Sequence, residues 1–255
     1  MFTGMGNNEL FLSGTRLAFV LLIICSSCSP SDARKHFNAG AKKSASGDYA
    51  GAISDYDEAI QIDSKYVKAY NNRGLAKDAL KDEVGAIADY TKTIELNPQY
   101  QFGYYNRGNA EVKLRDYANA INDYNKAIQL NPQDTAAWVM RGNTKYLLRD
   151  YAAAITDFDK AIELDPRHDF AFNGRGLARG HLLNNYRSAI IDFNKAIELN
   201  PRNAEAYNNR GNARRGLKDY DGAIADYDKA IELKPQYDKA YTNRTAVEAL
   251  KKAIK

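Results

Sequence analysis

Six arginines (Arg73, Arg107, Arg141, Arg175, Arg210 and Arg244) and six aspartates (Asp55, Asp89, Asp123, Asp157, Asp192 and Asp226) recur along the chain at near-constant intervals. A guanidinium matches a carboxylate in bidentate geometry, so these series offer ion pairing that fixes position rather than a reaction. Counting sets the expected partners. Joining each aspartate to the arginine 18 residues later, Asp55 to Arg73 and so on to Asp226 with Arg244, leaves no member alone. The spacing predicts a ladder of ion pairs between successive units. Its value would lie in register more than in net stability, because desolvation offsets much of the attraction.

No other residues form a reactive pattern. His36, His168 and His181 fall in separate units, which argues against a shared metal site, and the glycines recur at one helical position instead of forming a phosphate loop. Cys25 and Cys28 both precede the repeats, so the body of the chain holds no thiol. The formal charge of +4 arises from 36 basic and 32 acidic residues dispersed along the chain, without a continuous surface for tracking phosphates. The expectation is a protein that is not an enzyme, with no cofactor, no small-molecule substrate and no nucleic acid partner.

The elements that must position the two charged series come from a repeat. Eighteen Tyr against one Trp and three Met is the usage of a short unit copied several times. Prolines at 98, 132, 166, 201 and 235 are separated by 34, 34, 35 and 34 residues, with Ser64 where the series would begin. The units run 33–66, 67–100, 101–134, 135–168, 169–203 and 204–237, and a lone helix is expected over 238–255. Each reads as two helices. The first carries an aromatic near its start (Tyr70, Tyr104, Trp138, Phe172, Tyr207) and a glycine four residues on (Gly74, Gly108, Gly142, Gly176, Gly211). A helical glycine costs about 1 kcal/mol relative to alanine, so close approach of the second helix should compensate. The small residues of that helix are expected to face the glycine, and the large ones to fill the space between hairpins. Asp48, Asp82, Asp116, Asp150, Asn185 and Asp219 stand where they can cap it. Proline then ends it.

Residues 17 to 25 form an apolar stretch after Arg16 and before Ser26, Ser27 and Cys28, too short to span a bilayer comfortably. The stretch reads as a signal peptide over 1–27, followed by a short linker over 28–32. Cys28 after two serines resembles the lipobox of bacterial lipoproteins, with Cys25 as the alternative processed residue. The resemblance implies an exported protein tethered by lipid at the bacterial cell envelope, on the periplasmic side of the outer membrane in a Gram-negative cell.

Glycine at position 8, alanine at 20, an aromatic at 24, alanine at 27 and proline at 32 of nearly every unit resemble the tetratricopeptide repeat over residues 33 to 255. The resemblance implies an all-α fold, a right-handed superhelical solenoid of antiparallel helical hairpins with six repeats and a C-terminal capping helix. Two departures stand out: position 7, usually leucine, is arginine, and position 11, usually tyrosine, is Lys43, Lys77, Glu111, Lys145, Arg179 and Arg214.

The family's inner surface is built from first-helix positions 2, 5, 9, 12 and 13. By resemblance, the partner-binding residues would be Phe102, Tyr105, Asn109 and Val112, then Val139, Asn143 and Tyr146, then Phe170, Asn173, Asn208 and Asn212. Such a surface suits a protein or peptide segment, with aromatics as anchors and amides reaching its backbone. The implied role is a non-catalytic scaffold, an envelope lipoprotein assisting complex assembly. One alternative is an adaptor for C-terminal tails, but position 5 lacks the lysine of the family's carboxylate clamp. The other is a helical RNA reader of the pentatricopeptide kind, whose usual period is 35.

Overall fold

Capping residues and prolines punctuate the chain into helical hairpins. A computed structural model describes residues 29–254, in which thirteen α-helices and no strand are present. The first helices of the hairpins are α1 (Pro30–Ala45), α3 (Val67–Ala79), α5 (Gln101–Lys113), α7 (Thr135–Leu147), α9 (Asp169–Leu183) and α11 (Ala204–Gly216). The second helices are α2 (Tyr49–Ile62), α4 (Glu83–Leu96), α6 (Tyr117–Leu130), α8 (Tyr151–Leu164), α10 (Tyr186–Leu199) and α12 (Tyr220–Leu233), and α13 (Asp238–Ile254) follows. The signal segment 1–27 and Cys28 lie outside the described residues.

Residues 28–32 were expected as linker, but α1 already begins at Pro30. Ser29 and Asp32 form a reciprocal capping box and proline at the first helical position presets its geometry, so the helix starts ahead of the repeat register. Each second helix is capped as its sequence suggests: the Asp48, Asp82, Asp116, Asp150, Asn185 and Asp219 side chains each accept the backbone N–H three residues on. At the far end, Asn97, Asn131, Asp165 and Asn200 each precede a proline. Each also accepts a hydrogen bond from the backbone two residues later, which turns the chain into the next unit.

The glycine of the first helix is required by its neighbour, though not by the small residues expected to face it. A Cβ at Gly74 would lie 2.6 Å from the Tyr90 ring, at Gly176 2.7 Å from Phe193, and at Gly211 2.6 Å from Tyr227. The aromatic of the second helix therefore lies against bare backbone. Tyr90, Tyr124, Phe158, Phe193 and Tyr227 are consequently almost wholly buried. The alanines around them (Ala86, Ala120, Ala154, Ala189, Ala223) are fully buried and let the helices approach closely.

Along the chain each first helix also packs on the next: α1 on α3, α3 on α5, α5 on α7, α7 on α9, α9 on α11, and α11 on α13. No two second helices touch among the described residues. The first helices thus form an inner layer and the second helices an outer one, as in a curved solenoid whose hairpins bury their faces only by stacking. The extra residue of the fifth unit is absorbed in α9, which runs to 15 residues where α7 and α11 have 13, and ends at Asn184 in the left-handed region.

Candidate functional site

Position 7 is where the charged series act, and the pairing differs from the expected ladder. Arg73 Nε and Nη2 donate to Asp89 at 2.9 and 2.5 Å, Arg107 to Asp123 at 2.7 and 2.8 Å, and Arg141 to Asp157 at 2.9 and 2.6 Å. Arg175 holds Asp192, and Arg210 holds Asp226, in the same way. These pairs lie within one hairpin, because antiparallel packing puts position 7 of the first helix opposite position 23 of the second. The arginine does reach the preceding hairpin, but through Nη1 and to a residue two places beyond the aspartate: Asp57, Thr91, Asn125, Asp159 and Asn194 in turn. Its planar fork also lies over the aromatic three residues earlier, as with Arg141 and Trp138 at 4.6 Å. One side chain thus ties three helices together, which accounts for arginine where the family has leucine.

The two members left over find other partners. Asp55 is met by Lys43 at 2.9 Å, and Arg244 by Asp228 and Glu248. Position 11 explains the first: Lys77, Lys145, Arg179 and Arg214 likewise give Asp89, Asp157, Asp192 and Asp226 a second cation. The third hairpin breaks the rule. Glu111 occupies that place, buried, with Oε2 lacking a hydrogen-bond partner. Burial and then the Asp123 carboxylate push its carboxyl up to about 7.

The inner layer carries a second polar system. Asn71, Asn173 and Asn208 accept hydrogen bonds from Asn106, Asn209 and Asn243 of the following first helix, at 3.0, 3.1 and 2.9 Å. Asn173 and Asn208 are therefore buried, and Val139 is buried in the apolar cluster around Phe158, which corrects their assignment to a free groove surface: position 5 faces the neighbouring first helix. Position 6, which supplies the donors, was missed; its signal was the asparagine that follows Asn71 and Asn208 in sequence. Phe102 and Phe170 are about half exposed. Tyr105 is half-buried against Tyr124, and Val112 and Asn143 are half-buried. Asn109 and Asn212 each accept from a second-helix tyrosine, Tyr124 and Tyr227, at 2.7 and 2.9 Å. That bond occupies the amide oxygen and leaves the amide nitrogen to donate elsewhere.

The face is hollow at its C-terminal end. A cavity of about 560 Å³ is lined by Tyr146, Asn173, Leu177, Glu205 and Lys239 among others, and one of about 410 Å³ by Leu177, Gly180, Tyr186, Asn212 and Asn243 among others. Both open on the layer of first helices.

An all-α stack of hairpins, with amides and aromatics on its inner layer, defines a helical-repeat solenoid. Tetratricopeptide repeat models match residues 67–100, 105–169 and 204–237, and a TPR repeat model matches 44–79 and 181–216. The chain belongs to the tetratricopeptide repeat family. Among solved structures, a tetratricopeptide repeat protein from Parabacteroides merdae ATCC 43184 is 21% identical, covers 87% of each chain and superposes with a TM-score of 0.75. PilF of Pseudomonas aeruginosa is 16% identical over 85% of this chain and 99% of its own, at 0.72. YrrB, described as a TPR protein with an unusual peptide-binding site, is 23% identical over 74% of this chain and 97% of its own, at 0.59. No curated protein matches the chain.

Proposed function

We propose that this protein is a non-catalytic scaffold that holds an extended segment of a protein partner along its layer of first helices. The observation that carries this reading is the exposure of Phe102 and Phe170 on that layer, in a family whose members bind polypeptides. Large apolar side chains left in water beside amides are what an extended partner would cover, the aromatics as anchors and the amides on its main chain. YrrB's peptide-binding site supports the same reading.

The N-terminal segment supports a location. A basic residue, a short apolar run, two serines and Cys28 suit export followed by acylation of Cys28, which tethers the scaffold at the bacterial envelope, where it assists assembly of a complex. The test has two arms. A photo-crosslinking residue at Phe102 or Phe170 should trap a polypeptide from cells, whereas the same residue at the exposed outer positions Val84 or Ile191 should not. Adducts only from the outer positions, or from none, would reject the groove. Labelled fatty acid should enter the wild type but not Cys28→Ser; equal labelling would reject the anchor.

A further inference from the structure

The fourth and fifth units meet through a cluster of three rings. Tyr146 of α7 lies 5.5 Å from Tyr151 at the start of α8, and both lie against His181 of α9, at 5.7 and 5.4 Å. The same three places between the fifth and sixth units hold Gly180, Tyr186 and Gly216. Two of the three rings are gone: the Tyr186 ring lies on Gly216, and the 410 Å³ cavity opens beside Gly180. That volume falls within the range of about 300–1,000 Å³ typical of ligand clefts.

Packing does not demand the glycine at 180. A Cβ there would meet only Ala189 Cβ, at 3.8 Å, an ordinary contact. This contrasts with Gly176 one turn earlier, whose Cβ would strike Phe193. A glycine inside a helix costs about 1 kcal/mol relative to alanine, and here the space it leaves is the only thing gained. Gly216 differs, since its backbone carries the Tyr186 ring. Tyr186 thus forms one wall of the cavity, while Leu177, Ala189 and Ala213 supply apolar lining.

The rim is polar and of one sign. Asn212 gives its amide oxygen to Tyr227 and Asn243 gives its amide nitrogen to Asn208, so one offers a donor and the other an acceptor. That pair matches the two groups of a peptide unit. Arg215 is exposed on the rim and forms no ion pair among the described residues, and no carboxylate lines the cavity.

We infer that the junction between the fifth and sixth units is a socket for one aromatic side chain of the partner polypeptide, flanked by a carboxylate that meets Arg215. The inserted ring packs on Tyr186 as Tyr146 and His181 pack on Tyr151, one tilted and one stacked, within the usual 4.5–7 Å range of aromatic pairs. This inference rests on the groove reading above and adds to it the chemistry of the partner.

The test uses a fluorescein-labelled peptide with an Asp-Phe-Asp core in a Gly-Ser frame, titrated into the full chain by fluorescence polarisation. Gly180→Tyr supplies the residue that α7 carries at the same position, and Gly180→Ala removes the helical glycine while leaving most of the space. Gly180→Tyr should weaken binding at least about tenfold, as expected for loss of an anchor, while its thermal melting point stays equal or rises. Gly180→Ala should bind like the wild type. Ala in place of the peptide's Phe, Lys in place of its Asp, or Arg215→Ala in the protein should each also weaken binding. Absence of saturable binding to the wild type, or equal binding by Gly180→Tyr, would overturn the socket. If Phe102 and Phe170 still crosslink a partner when that happens, the socket alone has failed; if those adducts are missing too, the groove has failed with it.

Discussion

The third and fourth hairpins have first and second helices of equal length, and their clamps differ most at position 11. In the fourth, Asp157 is gripped by Arg141 and by Lys145, and is 1% exposed. In the third, Asp123 has Arg107 alone, and Glu111 stands where the lysine would be. The fourth hairpin buries one carboxylate between two cations, whereas the third buries two carboxylates beside one. A buried ion pair adds little when complete but is expensive to break, so this asymmetry should appear when a partner is removed rather than in the intact protein.

The largest expected effect follows directly. Arg107→Ala leaves Asp123 and Glu111 without a cation and should cost about 3–5 kcal/mol at neutral pH. Arg141→Ala leaves Lys145 in place and should cost clearly less, about 2–3 kcal/mol on the same reasoning. Urea denaturation of the two variants ranks them; an Arg141→Ala cost equal to or above that of Arg107→Ala would refute the account of position 11.

The converse exchange is next in size. Glu111→Lys installs the cation of the fourth hairpin beside Asp123 and should raise stability by about 1–3 kcal/mol at pH 7.5, whereas Lys145→Glu should lower it by a similar amount. Glu111→Gln isolates the titration. The folded protein holds the Glu111 proton up to about 7, while an unfolded glutamate releases it near 4.5. Between those values the folded state carries the extra proton, so this group's contribution to stability falls as pH rises and its full penalty is present above pH 7. The groups that face it are Asp123, Arg107 and Asp116, of which Arg107 opposes the shift. The stability of Glu111→Gln should therefore exceed that of the wild type at pH 8, and the gap should close toward pH 4.5. A gap that stays constant with pH would show that Glu111 keeps an ordinary pKa.

How much of this the sequence carried depends on dimension. The hairpins were legible because proline spacing, the cap aspartates and the glycine-to-aromatic interval are all local, and each has a single physical meaning. The arginine ladder was misassigned because counting along a line treated each guanidinium as having one partner. Arginine has five donors in a fixed fork, and here it serves two carboxyl, amide or hydroxyl groups on different helices, while a lysine or arginine at position 11 supplies a cation in every hairpin but the third. Asn173 and Asn208 were placed on the groove because the family positions mark a face, but position 5 turns toward the next first helix and is consumed by Asn209 and Asn243. The hollow at Gly180 was invisible for a different reason. It is defined by residues of four helices at unequal offsets, and a glycine in a repeat rich in structural glycines carries no mark of its own.

The smallest prediction is the one in which the two hairpins should agree. Arg115 and Arg149 close the turns after α5 and α7 with φ of 63° in both, the left-handed region in which a side chain costs energy and glycine does not. Both residues are exposed, and the residue after each donates its backbone N–H back to the first helix: Asp116 to the Glu111 carbonyl at 2.9 Å, and Asp150 to that of Lys145 at 3.0 Å. Glycine relieves the strain in the folded turn but also loosens the unfolded chain, so Arg115→Gly and Arg149→Gly should each stabilise by only about 0.5–1 kcal/mol. Alanine, which keeps the Cβ, should gain nothing at either place. The two glycine variants should gain by equal amounts, because the carbonyl that accepts the bond is backbone and does not depend on whether Glu or Lys stands at position 11. A gain at Arg149 with none at Arg115 would mean that the charge on Glu111 reaches the turn, and that the defect of the third hairpin extends from the clamp into its backbone.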